Sequence, residues 1–218
     1  EENILKVIEP LFLDELRAEV ATVRNNAARL RAFHERLAAL TFFDPAAGCG
    51  NFLIIAYREL RLLELDVLVR LEEIAGHGQQ HLNISEVSGL SKVNVHQFYA
   101  IEIEEFPARI AETAMYLMDH LMNMRLAQQF GQYFARIPLT ASAHVHGEVN
   151  ALDVDWEAIL PAAQCTYLLG NPPFIGALRL SAAQTDDRTR VFGSLPEAAG
   201  LSAGRLDYVM CWYAKAFT

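Results

Sequence analysis

Asn171-Pro172-Pro173-Phe174 is the stretch of this sequence best suited to chemistry on a planar ring. Two successive prolines fix φ and delete two backbone donors, so these residues form a rigid extended loop that neither a helix nor a central strand can absorb. Such a loop can aim what flanks it. The Asn171 side chain and the Pro172 carbonyl can accept hydrogen bonds from an exocyclic amino group, and Phe174 can stack on the ring that carries it. Those are the requirements for holding an adenine with its amino nitrogen facing a group donor. The alternative is a stiff turn with no further role.

Three other stretches carry comparable residues. Asp44-Pro45-Ala46-Ala47-Gly48-Cys49-Gly50-Asn51 holds two glycines that let the backbone turn tightly and approach a ligand without a Cβ in the way. It lacks the GK[ST] ending of a phosphate loop and the third glycine of a dinucleotide fingerprint, and a plain helix-entry turn would look the same. Glu102, followed by Glu104 and Glu105, can accept both hydroxyls of a ribose, although carboxylates at a helix N-terminus also favour the helix dipole with no ligand at all. Asn150, with Ala151 and Leu152, suits either a nucleobase edge or a simple Asn turn.

These residues can meet only if each follows a strand, because ligands of open α/β sheets bind beyond the strands' carboxyl ends. The sequence supplies that arrangement. From Asn3 to Leu40, apolar residues such as Ile4, Val7, Ile8 and Leu11 recur at helical spacing and predict two helices. "LTFF" then reads as a buried strand that runs into the glycine turn and a helix beginning "NFLIIAYREL". "VNVHQFYAIEI" reads as a second strand, followed by a helix entered at Pro107, where a missing N–H costs nothing. "HVHGEVNALDVDW" and "CTYLLGNPPFIG" suggest two more strand turns, and "GRLDYVMCWYAKAF" a final amphipathic helix. The polar segment "AGHGQQHLNISEVSGLSK" is expected as a loop. Strands alternating with helices predict an α/β fold whose parallel sheet is covered on both faces.

Composition narrows the function classes. The 218 residues are 52% hydrophobic and 21% charged, enough to bury a sizeable core. No apolar run approaches the ~20 residues of a membrane span, and the N-terminal residues lack the order of a secretory signal, so a cytoplasmic protein is expected. Cys49, Cys165 and Cys211 are scattered and odd in number, which argues against a disulfide framework or a thiolate zinc site. A formal net charge of −9 is the wrong sign for a self-sufficient nucleic-acid binder.

Taken together, four ordered motifs resemble the class I S-adenosylmethionine-dependent DNA methyltransferases that modify adenine. "FFDPAAGCGNFL" is similar to their donor-binding motif, with Ala47 and Cys49 in place of the usual Cys and Ser. "YAIEIEEFPARIA" is similar to the acidic motif, "VNALDVDW" to the third, and "LLGNPPFIG" to the catalytic fourth. The closest resemblance is to the MmeI-like methyltransferase domain of large restriction-modification polypeptides. It implies a Rossmann-like methyltransferase sandwich with a mostly parallel sheet, a helical lead-in over 1–40 and a core over 41–218. A target-recognition domain is absent from these residues. S-adenosyl-L-methionine is the implied donor, held by Asp44, Ala46, Gly48, Gly50, Asn51 and Phe52, by Glu102 and Ile103, by Asn150 and Ala151, and by Asn171. Asn171, Pro172, Pro173 and Phe174 are the implied catalytic residues, and double-stranded DNA the implied partner, gripped mostly by segments outside these residues.

Other readings compete with this one. An NPP loop can also present a protein glutamine or an RNA amino group, a non-catalytic DNA-modification subunit could keep the fold, and a nicotinamide oxidoreductase is disfavoured by the missing third glycine. His77 with His81, and His144 with His146, lack the further ligands a metal needs, so no metal is expected. Met115, Met118, Met122 and Met124 read as adaptable core, and Trp156 as packing under the sheet edge.

Overall fold

The computed structural model describes residues 1–76, 91–130, 143–195 and 203–217. α1 (Glu2–Ile8) runs through a π-helical turn (Glu9–Leu13) into α2 (Asp14–Val23), and α3 (Ala27–Ala39) follows. The lead-in therefore has the two expected helical rods, the first widened where Pro10 has no N–H to give to the ladder. Asn26 caps α3 by accepting the Arg29 N–H at 3.0 Å.

Beyond the lead-in come β1 (Phe42–Asp44), α4 (Asn51–Gly76), β2 (Phe98–Glu102), α5 (Glu105–Gln129), β3 (His144–Gly147), β4 (Tyr167–Leu168), α6 (Ala182–Gly193) and α7 (Met210–Ala216). The strands form one all-parallel sheet in the order β3-β2-β1-β4. Chain order reverses beside β1, which has β2 on one side and β4 on the other; this is where an open sheet leaves a crevice.

Alternation along the strands sends neighbouring residues to opposite faces. Phe42, Phe98 and Ala100 join the core under α1 to α5, whereas Phe43 and Ile101 join a second core with Ala151, Val191 and Trp212. The register pairs Phe42 with both Phe98 and Tyr167, giving an aromatic row with centroids 4.9 and 5.3 Å apart. Met115 and Met122 are buried as core, while Met124 is half exposed.

The second and third strands are shorter than the sequence suggests. Val95–Gln97 winds into a 3-10 turn closed by a capping box between Asn94 and Gln97. Gln97 Nε2 then donates to Leu37 O at 2.8 Å and Leu40 O at 2.7 Å, satisfying the C-terminal carbonyls of α3. Helix α6 is an element beyond those expected from the sequence. Its cap was nonetheless written there: Ser181 accepts the Gln184 N–H at 3.2 Å, and Gln184 Oε1 accepts the Ser181 N–H at 3.0 Å. The expected loop around 75–92 falls largely outside the described residues, as does the His77 and His81 pair.

A buried polar network locks α3, α4 and the chain entering β2. Glu64 accepts from His34 Nε2 at 2.7 Å, Ser91 Oγ at 2.8 Å, and the N–H groups of Lys92 and Val93 at 2.6 and 2.9 Å; Arg61 Nε lies 3.1 Å away. Burial opposes ionisation of Glu64, yet these donors outweigh it and hold its carboxyl below the usual range. Such pairs stabilise only when fully partnered, and here every donor is in place.

Candidate active site

Four chain segments come together at the carboxyl ends of the strands. The loop after β1 turns through Gly48 and Gly50, at φ +54° and +78°, and the Gly50 N–H donates to Ala47 O at 2.8 Å. A Cβ on Gly50 would stand 2.9 Å from the Ala111 Cβ, so α5 packs directly on the turn. Ala47 N–H donates to Ile101 O at 3.1 Å, and Gly48 N–H donates to Glu102 Oε2 at 2.8 Å. Glu102 Oε1 accepts the Glu104 N–H at 3.0 Å. The glycine loop and the acidic residue, separate in sequence, are thus one hydrogen-bonded unit.

The other two segments join from either side. Val149 N–H donates to Glu102 O at 3.2 Å and draws the chain after β3 against the end of β2. On the opposite side, Leu169 N–H donates to Phe43 O at 2.9 Å, carrying Gly170 past the end of β1. A Cβ on Gly170 would lie 2.4 Å from Asp44 Oδ1, so only glycine lets the chain pass there into Asn171.

Asp44 is the buried floor of this junction, 1% exposed. Its Oδ1 accepts the Ala46 N–H at 3.0 Å, and its Oδ2 has no partner among the described residues. Burial pushes its carboxyl up to about 7; the Ala46 N–H works against that rise, and the Glu102 charge adds to it.

The remaining expected residues are placed as follows. Asn51 opens α4 and is exposed; Phe52 and Ala46 are partly buried against the two cores, and Ala151 is buried. Ile103 is exposed beside Glu102. Asn150 turns its side chain to the protein, accepting the Leu152 N–H at 3.0 Å and donating to Asp187 Oδ1 at 3.2 Å. Asn171 and Pro173 are exposed, Pro172 is partly buried, and Phe174 is 74% exposed with its ring open to solvent. His144 and His146 are exposed on β3, and among the described residues no group of three or more His, Cys, Asp or Glu could hold a metal ion. No helix among the described residues is long and apolar enough to cross a membrane.

Several positioning residues escaped the sequence reading. Asp187 is buried and accepts from Asn150, from Arg190 at 2.6 Å and from Tyr208 Oη at 2.5 Å, while the Tyr208 N–H donates to Ile175 O at 2.9 Å. One carboxylate therefore ties the chain after β3 to the loop that follows Phe174. Burial, and then Asp187, raise the Tyr208 hydroxyl pKa, keeping it a neutral donor. Trp212 Nε1 donates to Pro45 O at 3.0 Å. Trp156 packs on the sheet as its sequence position predicts, edge-on to Phe43 in the second core, and its Nε1 donates to Ala151 O at 2.8 Å. The Ser181 cap was the sequence signal that could have led to α6 and thence to Asp187.

Comparison with known proteins bears directly on this arrangement. The family described as MmeI, DNA-methyltransferase domain, matches residues 20–218. DNA methyltransferase A of Bacillus subtilis (strain 168) is 33% identical over 216 residues, which cover 97% of this chain and 23% of that protein. A solved structure of the Type IIL restriction-modification enzyme MmeI in complex with DNA is 53% identical, with a TM-score of 0.88 over 99% of this chain and 27% of that one. The chain thus spans about a quarter of the length of these relatives. It is a member of the MmeI DNA-methyltransferase domain family.

Proposed function

We propose that this chain transfers a methyl group from S-adenosyl-L-methionine to the exocyclic amino group of adenine in double-stranded DNA, as the catalytic part of a cytoplasmic restriction-modification polypeptide. Residues 1–40 serve as its helical lead-in and 41–218 as its core. The observation that carries the reading is the junction of Gly170 with Asp44, which sets the Asn171-Pro172-Pro173-Phe174 loop beside the glycine loop and its Glu102.

The residues present fit the donor. Each Glu102 oxygen accepts one N–H, which leaves lone pairs for ribose hydroxyls. The glycine turn offers bare backbone, and Asp44 Oδ2 is a buried acceptor of the sign that a cationic amino group would satisfy. Ile103, exposed beside Glu102, offers an apolar wall to an adenine ring, and Asn51, Phe52, Ala46 and Asn171, with the main chain of Asn150 and Ala151, are the other residues assigned to the donor. When bound, the donor supplies an electrophilic methyl group on sulfur.

The chain's own residues do the rest. Asn171 and the Pro172 carbonyl accept from the amino group, which raises electron density on its nitrogen and fixes its direction; Pro173 keeps the loop stiff, and Phe174 stacks on the extruded base. Duplex grip comes mostly from segments outside these residues, because a net charge of −9 repels phosphates.

The test is Asn171→Ala in the full natural polypeptide that carries this chain. Methyl transfer to duplex DNA should nearly vanish, with kcat falling more than KM rises, while donor binding and thermal stability hold. A stable, active Asn171→Ala protein would sink the assignment.

A further inference from the structure

Four residues beyond Phe174, the loop presents a second side chain that base holding does not use. Ala177–Arg179 form a 3-10 turn, closed by the Arg179 N–H donating to Gly176 O at 2.8 Å. Two further bonds pin it from outside. Ala177 N–H donates to Asp207 Oδ1 at 3.0 Å, and Tyr208 N–H donates to Ile175 O at 2.9 Å. At the centre of this turn Leu178 is 101% exposed, the most exposed large apolar side chain among the described residues.

A lone exposed leucine usually needs no explanation. This one stands on backbone held by three hydrogen bonds, on the same loop as Phe174, so fixed geometry imposes its exposure. The turn also packs against a second 3-10 turn, Ala203–Arg205. Arg179 and Arg205 are exposed there, and neither forms an ion pair among the described residues. The apolar tip thus stands with two guanidinium groups on neighbouring turns, and the Asp207 carboxylate beside them is engaged by the Ala177 N–H. Four residues span at most about 14 Å. Base pairs repeat every ~3.4 Å along a duplex, so Leu178 lies within the few pairs around a nucleotide held by Phe174.

We infer that Leu178 is a wedge that enters the DNA stack where the target adenine leaves it, with Arg179 and Arg205 on the flanking phosphates. Extrusion costs unstacking and unpairing energy, and an apolar side chain in the gap offsets part of that cost. Leu178 is a positioning residue that touches neither donor nor reacting nitrogen. The inference rests on the adenine reading above and adds a separate contact to it.

The test uses the full natural polypeptide on two duplexes. In one the target adenine is paired; in the other it faces an abasic site and leaves the stack at little cost. Leu178→Ala should slow methylation of the paired target about tenfold, the factor that roughly 1.4 kcal/mol produces, and leave the abasic-opposed target at the wild-type rate. Leu178→Phe, still an apolar wedge, should restore the paired rate. 2-Aminopurine at the target position should brighten on binding of the wild type and stay dark with Leu178→Ala. An equal loss on both duplexes, or no loss on the paired one, overturns the wedge. A wild-type protein that methylates adenine in neither duplex overturns the adenine reading instead.

Discussion

Gly170 and Asp44 meet so closely that a Cβ on the glycine would lie 2.4 Å from the carboxylate Oδ1. The end of β4 and the floor of the glycine loop are therefore one contact, and the direction in which Asn171 leaves the sheet depends on it. Gly170→Ala should cost ~1–3 kcal/mol of stability, as overpacking in a tight site does, and weaken donor binding at the same time. Thermal melts beside donor titrations check both; a variant that melts like the wild type would show that the two groups stand apart in solution.

Asp44 also gives stability an unusual dependence on pH. Its folded carboxyl titrates near 7 against a reference of 3.8, so between these values the native state binds more protons than the unfolded one. Stability contributed by this group thus falls as pH rises from about 4 to 7, with a slope approaching ~1.4 kcal/mol per pH unit within that window, and levels off above it. Asp44→Asn should remove this component. Denaturant melts of both proteins across pH 5 to 8 isolate it as their difference, which should change in favour of the variant as pH rises; a pH-independent difference refutes the assignment.

Glu102 is expected to couple donor affinity to the shape of the glycine turn, since one of its oxygens accepts the Gly48 N–H at 2.8 Å. Glu102→Ala removes an ionised acceptor and frees that N–H, and should weaken donor binding by ~1.5–3 kcal/mol. Glu102→Gln keeps one acceptor oxygen and should lose less. Calorimetry on both variants ranks them, and equal affinities for Ala, Gln and wild type would place the ribose elsewhere.

Much of this architecture was written locally. Asp44 to Asn51 and Asn171 to Phe174 carry their conformations in their glycines and prolines, so each could be placed after a strand without knowing the rest of the chain. Asp187 could not be found that way. Its importance arises from Asn150 and Tyr208, which arrive from two other stretches to join Arg190 of its own helix, and no spacing rule announces those two distant partners. Gln97 was misread for the converse reason. Its neighbours Val95 and Phe98 favour a strand, but the free carbonyls of α3 compete for its amide and the local turn wins.

Both tryptophans of the chain give their indole N–H to main-chain carbonyls in the glycine loop after β1 and the chain after β3, Trp212 to Pro45 and Trp156 to Ala151. The molecule consequently contains its own optical probe. Indole emission follows local polarity and hydrogen bonding, so an unlabelled titration reads these two stretches together, and Trp212→Phe or Trp156→Phe leaves a single fluorophore that watches one of them alone.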